Sequence, residues 1–204
     1  TLENDIEKLE YFNCDLLYIP TINDIYPNGL IKEKSISKYR DILCDKFRPG
    51  HFDGVTTVVN TFFNIIKPNN SYFGEKDFQQ VKYINELVKI KNHKINVISC
   101  LSVRDNLGMS LSSRNSKLNK DQLEIFKNLA KKISKLIVII KQRNTKIKLE
   151  NFKKDLSKIN INKIDYLEIR DENNLEITDD YSYARLFIAL YIDEIRIIDN
   201  FKLY

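Results

Sequence analysis

The segment Tyr72–Gln80 combines a glycine and a lysine, which suit a phosphate, with a glutamine four residues beyond the lysine, whose amide suits a polar co-substrate. An apolar pair precedes the glycine and a helical pattern follows it, which predicts a strand–turn–helix junction, where α/β proteins bind phosphates. Gly74 lets a ligand approach the backbone closely, and Lys76 supplies a cation. Lys76 and Gln80 share one helix face, whereas Gln79 is rotated by about 100°. The alternative is an exposed helix start with ordinary charges.

A second candidate is the loop Gly108–Asn115, in which two serines stand beside an arginine. Hydroxyls donate hydrogen bonds, and a guanidinium offers a planar fork of donors to phosphate oxygens. Ser112, Ser113 and Arg114 therefore have the chemistry to wrap a triphosphate. The competing interpretation is a surface loop whose serine and asparagine residues serve turn geometry.

Arg48 stands before a predicted helix and next to the segment Pro49–Phe52. Its guanidinium suits a substrate carboxylate or phosphate. His51 has the chemistry of a general base, but we interpret it as a residue that anchors the turn by hydrogen bonds. Val58 and Val59 lie on the apolar face of the following helix, where they either line a substrate pocket or belong to the core. We favour the core.

Taken together, these blocks resemble one enzyme family. Residues Arg48–Val55 read Arg-Pro-Gly-His-Phe-Asp-Gly-Val, Tyr72–Gln80 follow, and Leu111–Asn115 read Leu-Ser-Ser-Arg-Asn. In this order and spacing they are similar to the pantothenate synthetases, the pantoate–β-alanine ligases, and the likeness extends more loosely from Leu2 to Asn200. The last block looks like a variant of the Lys-Met-Ser-Lys-Ser loop of class I nucleotidyltransferases.

The resemblance implies ligation of pantoate and β-alanine to pantothenate, in coenzyme A biosynthesis, through a pantoyl adenylate formed from ATP with release of pyrophosphate and AMP. It implies Lys76 and Arg114 as catalytic residues and Gln80 and Arg48 as pantoate-binding residues. Mg²⁺ is expected to accompany ATP, and a cytoplasmic homodimer is expected. The residues implied to contact ATP are Gly74, Glu75, Lys76, Asp77, Val103, Leu111, Ser112, Ser113 and Arg114.

The sequence departs from this family in one respect. The family's first nucleotide-binding motif, a Pro-Thr-Met-Gly segment followed by His-x-Gly-His, does not occur, and the two histidines, His51 and His93, lie in other contexts. The sequence begins at Thr1, within a region that resembles the family's third helix. We therefore expect the later part of a longer enzyme, and we expect these residues alone to be inactive.

Two other function classes stay open at this point. A nucleotidyltransferase of another substrate would keep the phosphate-binding loops and would not depend on pantoate. A catalytically inactive fragment would bind nucleotide without turnover. A substrate screen separates the first class from a pantoate ligase, and an intact-mass measurement separates the second.

The composition does not indicate a nucleic-acid-binding, membrane-spanning or metal-binding protein. The 204 residues are 43% hydrophobic and 30% charged, with a formal net charge of +5, which is ordinary for a globular chain with a core. The basic pairs lack clustered aromatic residues, so no nucleic-acid partner is expected. No apolar run reaches the roughly 18 residues of a membrane span. Without Cys-x-x-Cys spacing, Cys14, Cys44 and Cys100 indicate reduced, mostly buried thiols and no metal site.

Strands that alternate with helices in residues 1–102 predict an α/β domain with a parallel sheet. The resemblance implies that this is the later part of a Rossmann-like domain of the class I nucleotidyltransferase type, with its first strands missing. Apolar spacing predicts helices over 2–12, 21–25, 36–47, 53–66 and 76–89. Short apolar runs predict strands over 15–19, 71–73 and 95–100.

Residues 103–204 predict a small α+β domain with an antiparallel sheet, and the resemblance implies that this domain closes over ATP. A polar loop over 104–119 precedes a helix that begins at a capping box between Asn119 and Gln122 and reaches residue 140. A second helix is expected over 149–159, and strands over 165–170, 183–191 and 195–199.

Overall fold

The first half of the chain contains a two-stranded parallel sheet flanked by helices. The computed structural model describes residues 2–27, 29, 34–143 and 149–204. The strands pair in parallel, with Phe73 opposite Ser99, through a helical crossover. The predicted parallel α/β arrangement is therefore confirmed. Its elements are α1 (Leu2–Tyr11), α2 (Ile22–Ile25), α3 (Leu43–Phe47), α4 (His51–Ile66), β1 (Asn70–Gly74), α5 (Phe78–Ile90) and β2 (Asn96–Cys100).

Helices α4 and α5 form because their apolar residues recur at helical spacing and meet in one core. Phe63 of α4 packs with Ile84 and Leu87 of α5. Gly50, at a φ of +74°, turns the chain into α4 in a conformation that glycine adopts freely. The helix therefore begins two residues earlier than the apolar pattern alone predicts. Helix α5 begins at Phe78, after a single 3₁₀ turn, rather than at Lys76.

Among its described residues, the second half of the chain contains two α-helices and a three-stranded antiparallel sheet in the order β3–β4–β5. The predicted capping box is present: Asn119 N donates to Gln122 Oε1 at 3.0 Å, and Gln122 N donates to Asn119 Oδ1 at 2.9 Å. Leu129 and Ile133 of the long helix pack against the sheet. The predicted α+β class is confirmed. The elements are α6 (Lys120–Arg143), α7 (Leu149–Ser157), β3 (Ile164–Asp171), β4 (Ala184–Ile192) and β5 (Ile195–Lys202).

Aromatic side chains join the two halves. Phe78 of α5 lies 5.9 Å from Phe187 of β4, measured between ring centroids. Phe52 stacks on Tyr83 at 4.2 Å within the same apolar cluster, which also takes in Tyr166 of β3. Buried aromatic pairs contribute large apolar areas, so this cluster fixes α5 against the antiparallel sheet.

The strand predicted over residues 15–19 is wrong. In the part of the chain that the structure describes, no strand lies beside these residues, and Leu16 and Ile19 are 79% and 55% exposed. A β-strand depends on a neighbouring strand for its backbone hydrogen bonds. An apolar run alone therefore does not produce one.

The helix predicted over residues 36–47 is also wrong for most of its length, because only α3 at its end is helical. Asp41 has a φ of +60° and Leu43 a φ of +45°, and a right-handed helix cannot pass through such residues. The buried amide of Gln79 binds backbone groups that a continuous helix would pair internally. These groups are the carbonyls of Tyr39 and Ile42 and the N–H of Cys44, at 3.0, 2.9 and 2.9 Å.

Candidate active site

The predicted phosphate-binding residues of two separate loops meet at one cavity of about 220 Å³, hereafter the phosphate cavity. Lys76 and Asp77 line it from the turn after β1, and Ser112–Arg114 line it from the loop after β2. Lys76 Nζ donates to the carbonyl of Leu111 at 3.2 Å, across 35 residues of sequence. The fold thus brings together the two motifs that the sequence analysis selected.

The phosphate cavity is rich in positive charge. Burial lowers the pKa of Lys76, Asp199 and Asp77 counteract this effect, and Arg114 lowers the pKa further. When an anion enters between two partly buried cations, its negative charge stabilises the charged form of both. The cationic side chains that line the cavity are Arg48, Lys76, Arg114 and Arg196.

A smaller cavity of about 30 Å³, hereafter the side cavity, adjoins the phosphate cavity. Gln80 lines only the side cavity, whereas Arg48, Lys76 and Asp77 line both. Arg48 Nη1 lies 3.0 Å from His51 Nε2, so the histidine holds the arginine in place. The predicted acid-binding pair, Gln80 and Arg48, therefore lies beside the predicted phosphate-binding residues and shares Lys76 with them.

Other predicted ATP contacts lie outside these two cavities. The carboxylate of Glu75 pairs with Arg185 at 2.8 Å and accepts a hydrogen bond from Ser99 Oγ at 3.2 Å. Glu75 also borders a third cavity, of about 350 Å³, with Ser102 and Gly108. Val103 is 70% exposed, and its carbonyl accepts a hydrogen bond from the N–H of Leu111 at 2.9 Å. The roles of Gly74, Glu75, Val103 and Leu111 stay predictions.

Two buried polar residues of β5, neither of which was predicted to have a role, hold both loops in place. Asp199 accepts a hydrogen bond from Ser110 N at 2.8 Å. Asn200 Nδ2 donates to the carbonyls of Glu75 and Lys76 at 2.7 and 3.1 Å. The available signal was an Asp-Asn pair directly after the apolar pair Ile197–Ile198, where buried polar side chains need partners.

Arg185 of β4 connects the same turn to the antiparallel sheet. Its side chain is 3% exposed, donates to Glu75 and Glu172 at 2.8 and 3.0 Å, and lies over the ring of Phe78 at 4.1 Å. Burial raises the pKa of Glu172, but Arg185 and the Tyr204 hydroxyl outweigh burial and hold that pKa below its usual value. Since removing one partner would leave a buried charge unpaired, this network fixes the turn that carries Lys76.

Within the described ranges, no three His, Cys, Asp or Glu side chains come together as a metal site. The three cysteines are free thiols, but the prediction that they are mostly buried is wrong, because Cys14 and Cys100 are exposed. The sulfur of Cys44 lies 3.1 Å from the Tyr166 hydroxyl. None of the described helices is long and apolar enough to cross a membrane.

Comparison with known proteins decides the family. A family model described as Pantoate-beta-alanine ligase matches residues 1–202. The chain belongs to the pantoate–β-alanine ligase family. Within that family, the pantothenate synthetases of Sulfurihydrogenibium sp. strain YO3AOP1 and Acetivibrio thermocellus are 36% and 35% identical to it. Each match covers 98% of this chain, and 73% and 72% of the respective relative.

Solved structures of the pantoate–β-alanine ligase family share the fold. The ligase of Francisella tularensis, described as complexed with beta-gamma ATP and beta-alanine, superposes with a TM-score of 0.82 at 34% identity, over all of this chain and 70% of its own. Pantothenate synthetase from Thermus thermophilus gives a TM-score of 0.86 at 28% identity, over all of this chain and 75% of its own.

Proposed function

We propose that this ligase-family protein joins pantoate to β-alanine through a pantoyl adenylate. The observation that carries the proposal is that the phosphate cavity adjoins the side cavity, which Gln80 lines, and that Lys76 lines both. A reaction between an acid and a nucleotide needs its two substrates side by side at one cation. The Francisella ligase, whose description names ATP and β-alanine, supports the same substrates here.

In the first step, a carboxylate oxygen of pantoate attacks the α-phosphorus of ATP, and pyrophosphate leaves. In the second step, the amine of β-alanine attacks the acyl carbonyl, loses a proton, and expels AMP. Lys76 and Arg114 neutralise the charge that develops on the phosphates. Ser112 and Ser113 donate hydrogen bonds to the β- and γ-phosphates. Gln80 orients pantoate.

Further parts of the proposal concern the remaining contacts and the assembly. Arg48 binds the pantoate carboxylate. Asp77 contributes to ATP binding, together with Gly74, Glu75, Val103 and Leu111. Mg²⁺ enters as part of the nucleotide substrate, because Mg²⁺ commonly binds through substrate phosphates with few protein ligands. The domains divide at residues 102 and 103, the protein forms a homodimer in the cytoplasm, and it binds neither nucleic acid nor membrane.

The first test is AMP release from ATP by purified protein of recorded intact mass, with pantoate, with β-alanine, with both and with neither. AMP release that requires both co-substrates is the expected result. AMP release without pantoate, or without β-alanine, would overturn the proposed reaction. No release from folded protein that binds ATP and is heavier than 24.1 kDa would overturn it as well, in favour of a nucleotide-binding protein without ligase activity.

The role of Lys76 is tested with a matched pair of lysines. We expect Lys76→Ala to lower single-turnover formation of pantoyl adenylate by about a hundredfold or more, the scale for loss of one key electrostatic group. Lys82 is the control, because burial lowers its pKa too and its Nζ also donates to a carbonyl, that of Asn173 at 3.3 Å, yet it lines neither cavity. Near-normal adenylation by Lys76→Ala would contradict the assignment.

A further inference from the structure

The hydroxyl of Ser110 is a buried polar group that lacks a partner. Ser110 is 4% exposed and lines the phosphate cavity. Its Oγ atom has no hydrogen-bond partner among the described residues. Buried hydroxyls are usually paired, so an unpaired one at the wall of a cavity indicates a partner that enters the cavity.

The backbone on both sides of this hydroxyl is held in place. The N–H of Ser110 donates to Asp199 Oδ2 at 2.8 Å, and its carbonyl accepts a hydrogen bond from Asn115 Nδ2 at 3.2 Å. These contacts fix the position of the residue while they leave Oγ unused. The backbone that carries the hydroxyl is thus preorganised, so a ligand that binds Ser110 has little backbone freedom to restrict.

The chemistry of the cavity defines the class of partner. Lys76 and Arg114 line the same cavity, so an occupant next to them is an anion, and an anion accepts hydrogen bonds from a hydroxyl. We propose that Ser110 Oγ donates a hydrogen bond to a phosphate oxygen of ATP, as a ligand contact additional to Ser112 and Ser113. This inference rests on the proposed function for the identity of the anion.

The test measures binding and stability of the same variants. Ser110→Ala should weaken binding of Mg-ATP by about tenfold in calorimetric titration, the scale of one hydrogen bond to a charged group. Without ATP its melting temperature should equal or exceed that of wild type, because an unpaired buried hydroxyl destabilises the free protein. Inorganic tripolyphosphate should show the same loss as ATP. Ser110→Cys, of similar size and a weak donor, should behave like Ser110→Ala.

Ser116 supplies the matched control, since it lies in the same loop and its Oγ already donates to the Ser113 carbonyl at 2.9 Å. Ser116→Ala should keep the wild-type affinity for Mg-ATP. The inference is refuted if Ser110→Ala binds Mg-ATP as wild type does, if its affinity for tripolyphosphate is unchanged, or if it merely melts lower. Failure of wild type to bind ATP would instead overturn the proposed function, and the inference with it.

Discussion

The most informative perturbation compares Gln79 with Gln80, two adjacent glutamines of α5 whose surroundings differ. Gln79 is 5% exposed, and its amide binds two backbone carbonyls of the turn that precedes α3 and one N–H at the start of α3. Gln80 is partly buried and lines the side cavity. Gln79→Met and Gln80→Met both keep side-chain volume and remove the amide, so the two variants isolate the hydrogen bonds.

The expected cost of Gln79→Met follows from the groups that it leaves behind. The Ile42 carbonyl keeps two backbone donors, Asp45 N at 3.1 Å and Lys46 N at 3.3 Å. The Tyr39 carbonyl and the Cys44 N–H lose the Gln79 amide. At about 1–3 kcal/mol for each unsatisfied buried group, the free energy of unfolding should fall by about 3 kcal/mol. For a chain of this length, that corresponds to a fall in Tm of about 6–12 °C.

The assay is thermal unfolding of both variants, paired with the pantoate dependence of AMP release. Gln79→Met should melt at the lower temperature and change the apparent pantoate affinity less than Gln80→Met does. Gln80→Met should change the free energy of unfolding by no more than about 0.5 kcal/mol, as is typical of exposed or half-buried sites, so its Tm should stay close to that of wild type. It should raise the KM for pantoate. A Tm for Gln79→Met within about 2 °C of wild type would refute the reasoning from the Gln79 hydrogen bonds.

Two other substitutions test the hydrogen bonds that hold the turn of Lys76 and the ion pair that stabilises the start of α4. Asn200→Ala should raise the KM for ATP by about tenfold, because it frees the turn that carries Lys76; an unchanged KM in ATP titrations of AMP release would contradict this. Burial raises the pKa of Asp53, but Arg40 and Ser35 outweigh burial and hold that pKa at about 2, below the usual 3.8. The resulting stabilisation is present above pH ~4 and is lost as the pH falls through about 2. Asp53→Asn should therefore cost about 1–2 kcal/mol at pH 7 and about half of that at pH 3, measured by urea unfolding. An equal cost at both pH values would exclude this linkage.

Elements whose signal is local in the sequence were predictable. The capping box at Asn119, the apolar stripes of α4 and α5 and the β4–β5 hairpin each depend on residues close together in the chain. The strand expected over 15–19 failed because a strand depends on a neighbour that apolar character does not supply. The helix expected over 36–47 failed because Gln79, more than 30 residues away in sequence, binds the backbone of that segment.

The same distinction applies to the site. Lys76 and Ser112–Arg114 were recognisable because each motif is contiguous and its residue types bind phosphate. Asp199 was missed because its contact with Ser110 spans 89 residues, and the contact of Asn200 with Glu75 spans 125. An Asp or an Asn after an apolar run indicates no particular role until the fold shows which backbone groups it faces.

The pairing register of β4 and β5 positions both the turn that carries Lys76 and the loop that carries Ser112–Arg114. Successive residues of a strand face opposite sides of a sheet, so Asp199 holds one loop and Asn200 the other. A slip by one residue would exchange their faces and release both loops together. That register is set by the two-residue turn between Ile192 and Ile195, which pair with each other. In this turn Asp193 has a φ of +49°. A hairpin turn about 20 Å along the strand therefore determines whether the phosphate cavity is assembled at all.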